Sequence, residues 1–284
     1  MTEYASAPPS RPKGWLRNLV LLWLAWGLIV IGFQKLTATR FQPKRPDKVI
    51  GWTATETTIT ANNNKIYLIE PFMNEQVAWD SEYYLSIAVK GYDDPAVLTD
   101  GREQVPYTLN YAFFPVYPLV MRIFSLPLRL LGMNAIATAT LAGVIVSLLG
   151  TLLGMIALFD LTYMQLGYDG AMRAVFYLLI FPTGFFLTQV YTEGLFIGLA
   201  FSSLALIQYS QKGSRYLWAA SILAALATLT RAVGVALILA LAIRLVTDQL
   251  AGQRLSLKNL PWMAGLRSLL YAILPVAAYL GWSL

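Results

Sequence analysis

The chain of 284 residues is 57% hydrophobic and only 13% charged, whereas an ordinary soluble domain is about a quarter charged, so water is not its main solvent. Its formal charge of +6 does not point to nucleic acid, because the basic residues sit at the ends of apolar segments, as topology-setting charges do. With no cysteine and no histidine, disulfides, thiolate nucleophiles, cysteine metal sites and imidazole bases are excluded, and acid-base chemistry falls to Asp, Glu, Tyr or Lys.

Residues 1–14 carry no apolar period and read as a mobile cytoplasmic tail. Arg11, Lys13 and Arg17 accompany an apolar run over residues 16–33. That run is longer than a secretory h-region and no small-x-small cleavage site follows, which predicts an uncleaved anchor, a first transmembrane helix over residues 15–36.

Residues 37–132 are expected outside as one loop whose first part, roughly residues 37–110, is the longest polar stretch of the chain. Residues 53–70 alternate polar and β-branched types, while WDSEYYLSIAVK over 79–90 puts Trp79, Tyr83, Ile87 and Lys90 about one helical face apart. That pattern fits a short helix at the membrane surface. Residues 113–131 are apolar but interrupted by Pro115, Pro118, Arg122, Pro127 and Arg129, which predicts an interfacial or re-entrant segment instead of a span.

Further spans are expected at residues 135–159, 173–190, 191–210, 216–231, 232–247 and 267–284. Threading puts Arg173, Lys212, Arg215, Arg244, Arg254, Lys258 and Arg267 in the cytoplasm and only Arg231 in the outer turns near 190 and 231, in keeping with the positive-inside bias. The fold class expected is an all-α, polytopic integral membrane protein with a long first extracytoplasmic loop bearing interfacial helices. Residues 133–284 form its transmembrane bundle, ending at the edge of a hydrophobic segment, so that either the last span just reaches the far surface or the chain is a shortened version of a longer protein.

Three clusters have chemical potential. Asp80 and Glu82 in WDSEYY place carboxylates at the membrane-water boundary; a helix-capping acid and a solvated surface charge are the plain alternatives. Tyr191, Thr192 and Glu193 form a turn between two short apolar segments, and Arg231 emerges on the same face. Glu193 and Arg231 either pair with each other or with headgroups, or Arg231 holds a lipid phosphate with its planar fork of donors. FFPVYP over 113–118, which includes Tyr117, is either an aromatic shelf beside a prenyl or sugar groove or a re-entry hairpin.

WDSEYYLSIAVKGYDD, YAFFPVYPL, FPTGFFLTQVYTEGLF and ATLTRAVG, in that order, resemble the PIG-V (GPI mannosyltransferase II) family of GT-C glycosyltransferases and its bacterial relatives. The resemblance covers residues 75–240. It implies a GT-C-like bundle, a polyprenyl-phosphate-mannose donor, a glycolipid or glycan acceptor and no cofactor or metal. It implies Asp80 as the catalytic first-loop acid, with Glu82, Tyr83, Tyr117, Tyr191, Glu193 and Arg231 binding substrates. The expected setting is a bacterial inner membrane, or the endoplasmic reticulum of a eukaryote, with the site on the extracytoplasmic face. The competing expectation is a non-catalytic membrane transporter or assembly partner for lipids or glycans.

Overall fold

A computed structural model of the chain describes residues 11–40, 66–97, 109–210, 213–250 and 262–283. The first ten residues, most of the alternating stretch, and Lys212, Arg254 and Lys258 lie outside the described residues. Among the described residues the secondary structure is helix and short 3-10 turns, with no strand.

Helix α1 (Trp15–Arg40) and helix α4 (Ala135–Ile180) are long and apolar enough to cross a membrane. Helix α1 extends four residues past the expected boundary at 36. The Asn134 side chain caps α4 by accepting the Ala137 amide at 2.8 Å. Within α4, Gly167 is non-helical at φ 64, a conformation that only glycine adopts at little cost, and the chain folds back there. Phe159 and Tyr168, on opposite sides of the break, have ring centroids 6.0 Å apart. Helix α1 is bonded to both arms: Trp23 Nε1 donates to the Leu148 carbonyl at 2.9 Å and Trp26 Nε1 to the Leu179 carbonyl at 3.0 Å.

The return arm is shorter than the expected span over 173–190. It ends at Ile180, where Pro182 lacks an amide donor for the next turn. The chain then runs through a 3-10 turn, Gly184–Thr188, and re-enters helix only at α5 (Glu193–Gln208). Helix α5 lies against α4 on glycines. A Cβ on Gly194 would stand 2.2 Å from the Ser147 carbonyl oxygen, and one on Gly198 would stand 2.6 Å from that of Gly150. Small residues let two backbones approach this closely.

Helix α6 (Ser214–Thr228) runs back along α5, with Ser203 Oγ donating to the Ala220 carbonyl at 2.8 Å. Helix α7 (Leu237–Leu250) descends beside them, and its Arg244 Nε reaches Ser210 Oγ at 2.9 Å. Helix α8 (Trp262–Ser283) returns, bringing Trp282 to 5.2 Å from Tyr92. This alternation gathers Asp80, Glu193, Arg231 and Trp282 at one end of the bundle, and Arg11, Asp160, Tyr209 and Arg244 at the other.

Two short helices lie between α1 and α4, and the first departs from expectation. Helix α2 (Ser81–Val89) does not lie on a surface: Ser81, Glu82, Tyr84, Leu85, Ser86, Ile87 and Ala88 are all buried. Tyr67, Tyr117 and Met121 belong to the same core as its Tyr84, Leu85 and Ala88. Helix α3 (Val116–Leu128) is regular despite its prolines. Pro115 is its N-cap, Pro118 sits in the first turn where no amide bond is needed, and Pro127 falls in the last turn. It is amphipathic, burying Val116, Tyr117, Met121 and Ser125 and leaving Leu119, Ile123 and Leu126 exposed, as a helix in a membrane interface does.

Candidate active site

The segment before α2 is stitched to the turn before α5. The Val190 amide donates to the Gln76 carbonyl at 3.0 Å. Ser81 Oγ donates to the Val190 carbonyl at 3.1 Å, and the Asp80 amide donates to the Tyr191 hydroxyl at 3.1 Å. Between these anchors Trp79 has φ 46; a bulky residue in the left-handed region costs of order 1–3 kcal/mol, and such strain clusters at functional sites. Asp80 holds the N-cap position, yet its side chain makes no capping hydrogen bond and is exposed. Capping therefore does not account for this carboxylate.

Arg231 leaves the end of α6 in extended backbone and turns towards the start of α5. Its Nη1 donates to Thr192 Oγ1 at 3.0 Å and forms an ion pair with Glu193 Oε1. The other carboxylate oxygen, Glu193 Oε2, is buried without a hydrogen-bond partner among the described residues, a costly state for a charged acceptor. Of the two expectations for this pair, the structure shows the mutual pairing of Glu193 and Arg231.

Tyr84 joins the two groups. Its phenol is pushed above the ordinary tyrosine value first by burial, then by the charges of Asp80 and Glu193, against the opposing influence of Thr192 and Arg231. All four groups are thus neighbours of one ring. The ring meets Tyr117, Tyr191 and Phe113 edge-on, with centroids at 5.2, 6.1 and 5.2 Å. Tyr83 stacks on Phe113 at 4.6 Å, and Phe114 lies 6.1 Å from Trp282, so the aromatic shelf expected at 113–118 is present and is continued by α8.

Tyr117 itself is not on that shelf's open side. It is fully buried and bonds the Gly143 carbonyl at 3.1 Å and Ser147 Oγ at 3.0 Å. Ser147 Oγ lies 2.7 Å from the Gln189 carbonyl and 3.0 Å from that of Tyr191. Tyr117 therefore supports the turn from beneath instead of touching a ligand. Glu82 is buried too, at 4% exposure, which removes the solvated-charge alternative. Ser147 is not singled out by the sequence, and Thr192 and Tyr84 enter it only as members of their clusters; the paired spacings Gly150-xxx-Gly154 and Gly194-xxx-Gly198 are the available sign of a close helix crossing there.

A second polar network holds the far end of α2. Asp94, 2% exposed, accepts from Tyr67, from Ser86 Oγ at 2.8 Å and from the Ala96 amide at 3.1 Å, and pairs with Lys90 at 3.3 Å. Burial alone would raise its carboxyl, but these bonds outweigh it and hold Asp94 below the ordinary value. Asn110 Nδ2 extends the network to Ser86 Oγ and the Gly91 carbonyl. Among the described residues no group of three or more acidic side chains converges where a metal ion would sit.

Residues 17–253 match the family described as Mannosyltransferase (PIG-V), a range that includes every residue of the Asp80, Glu193 and Arg231 cluster. GPI alpha-1,6-mannosyltransferase 2 of Cricetulus griseus is 31% identical over 170 residues, 59% of this chain and 31% of that protein. The proteins of the same name from Mus musculus and Homo sapiens are 31% and 29% identical over the same shares. The aligned part thus spans less than a third of the length of these curated relatives. No solved structure matches the chain. On the extent of the family match, the chain belongs to the mannosyltransferase (PIG-V) family.

Proposed function

We propose that this chain is a polytopic membrane glycosyltransferase that moves mannose from a polyprenyl-phosphate-mannose donor to an acceptor hydroxyl, with inversion, on the extracytoplasmic face. The observation that carries the site is the meeting of three sequence-distant segments, at Asp80, Thr192-Glu193 and Arg231, around Tyr84.

Each step uses groups already in place. Asp80 takes the proton of the acceptor hydroxyl as that oxygen forms a bond to the anomeric carbon. The bond from that carbon to the phosphate oxygen breaks, and the lipid phosphate leaves with the electron pair. Arg231, with donors beyond those used on Thr192 and Glu193, offsets the charge developing on the phosphate. Glu193, through its Oε1, holds the Arg231 guanidinium in place beside the leaving phosphate. Tyr83 and Phe113 offer apolar faces for a sugar ring or prenyl chain, Glu82 and Tyr191 hold the Asp80 segment, and Tyr117 fixes the turn.

The antiparallel threading supports a multi-pass arrangement. Arg11, Arg173 and Arg244 lie towards the end opposite the site, consistent with a cytoplasmic position for that end. The test is transfer of labelled mannose from a short-chain polyprenyl-phosphate-mannose to endogenous acceptor in membranes containing the chain. Transfer that depends on Asp80 supports the mechanism; donor consumption that is the same with Asp80→Asn overturns it. Topology is tested with a membrane-impermeant thiol reagent on Asp93→Cys, an exposed position in the same loop, whereas Ser81 is fully buried and unsuited to labelling. Labelling only after the membrane is opened would place the site on the wrong side.

A further inference from the structure

A cavity of about 620 Å³ lies at the other end of α2 from Asp80, between the last turn of α2, helix α3 and the start of α4. Ten residues of chain separate Asp80 from Lys90, about 15 Å along a helix, so the cavity is distinct from the cluster around Tyr84. Three cationic side chains line it, Lys90, Arg122 and Arg129, together with Ser125 and Thr138.

The charges in the cavity are only partly offset. Lys90 pairs with Asp94. Arg122 spends Nε and one Nη2 donor on the neutral carbonyls of Ala88 and Ile87, at 2.9 and 3.0 Å. These bonds fix the guanidinium without neutralising it. The Arg129 side chain has no ion pair or hydrogen bond among the described residues. Ala135, the first residue of α4, also lines the cavity, and the positive end of a helix dipole favours an anion there.

The chain on either side of Arg129 differs in character from the cavity lining. Leu126, Leu130 and Leu131 flank Arg129 and are exposed, Leu130 to 91%. Cations inside and an apolar edge outside match an anionic headgroup with acyl chains attached. We propose that the Lys90–Arg122–Arg129 cavity binds a phosphate ester, supplied by the headgroup of a membrane lipid and held apart from the Asp80 cluster. The volume is that of ordinary small-molecule sites, and two guanidinium groups present the planar donors that phosphate oxygens accept. The proposal does not depend on mannose transfer.

The test is calorimetric titration of the purified full chain in neutral detergent with three probes: dioctanoyl phosphatidylglycerol, dioctanoylglycerol and inorganic phosphate. Arg129→Gln removes one cation without breaking a contact, and Arg173→Gln makes the same charge change elsewhere. The expected result is phosphatidylglycerol binding weakened about tenfold by Arg129→Gln, unchanged by Arg173→Gln and partly regained in Arg129→Lys, with dioctanoylglycerol not bound. Inorganic phosphate binding as tightly as the lipid, with the same dependence on Arg129, would keep the phosphate site but overturn the lipid as its source. Equal phosphatidylglycerol affinity in Arg129→Gln and the unsubstituted chain overturns the proposal.

Discussion

The two ends of the bundle each hold an arginine, a carboxylate and a tyrosine, and they use them differently. At one end Asp160 is saturated: Arg11 occupies Oδ1 and the Tyr209 hydroxyl donates to Oδ2 at 2.7 Å. At the other, Arg231 occupies only Oε1 of Glu193 and leaves Oε2 buried and unbonded, with the exposed carboxylate of Asp80 close by. The same chemical pair has both carboxylate oxygens bonded at one end and only one of them bonded, among the described residues, at the other. The saturated end also bears on the sequence reading, because Arg11 belongs to the stretch expected to be a mobile tail and is instead fastened to α4 and α5.

Substitutions should separate the two ends, the largest effect falling on Asp80. Asp80→Asn keeps the backbone bonds to Tyr191 and removes the base, so transfer should fall roughly 10²–10⁴-fold with an unchanged melting temperature; a parallel loss of melting temperature would mark Asp80 as structural. Glu193→Gln removes the charge that orders Arg231, and a charged hydrogen bond worth about 1.5–3 kcal/mol predicts a rate loss of roughly 10- to 100-fold, read as mannose transferred at matched expression. If transfer survives intact, the Glu193–Arg231 pair serves no step of transfer.

Gly194→Ala tests the platform under that end. A methyl group 2.2 Å from the Ser147 carbonyl oxygen forces α4 and α5 apart, costing about 1–3 kcal/mol, and should lower both the melting temperature and transfer. Asp160→Asn is the counterpart at the saturated end. Arg11 is more than a third exposed there, so the pair contributes at most about 1 kcal/mol, and transfer per folded molecule should not change.

The smallest effect is expected from acid. Asp94 is held below its ordinary value of 3.8, so its contribution to stability is complete above that pH and is lost as pH falls through the lower, folded value. Melting curves between pH 5 and the acid limit, taken beside Asp94→Asn, should show this limb only in the unsubstituted chain. An identical acid limb in both would assign the loss to other carboxylates.

Much of this arrangement was legible from the residues. The apolar run over 16–33 announced α1, and the positions of Asp80, Glu193 and Arg231 at segment ends placed them on one face before any contact was known. Helix α3 was harder, because prolines at 115, 118 and 127 read as breaks; only their positions within the helix show that none costs an interior hydrogen bond. The turn over 181–192 was taken as part of two spans because its residues are apolar, yet its backbone is held by long-range bonds to Ser147 and Gln76. The burial of Tyr117 and α2 likewise depends on segments distant in sequence, which periodicity along one helix does not encode.

The bond from Ser81 to Val190 joins positions 109 residues apart. At about 5–20 residues per second of synthesis, the partner of the Asp80 segment emerges roughly 5–20 seconds later. For that interval the apolar underside of α2 has no lid from the turn over 181–192. Substitutions in that turn should therefore first reduce how much finished protein a cell accumulates, through capture of the waiting segment by proteases or chaperones, before they alter turnover in the molecules that mature.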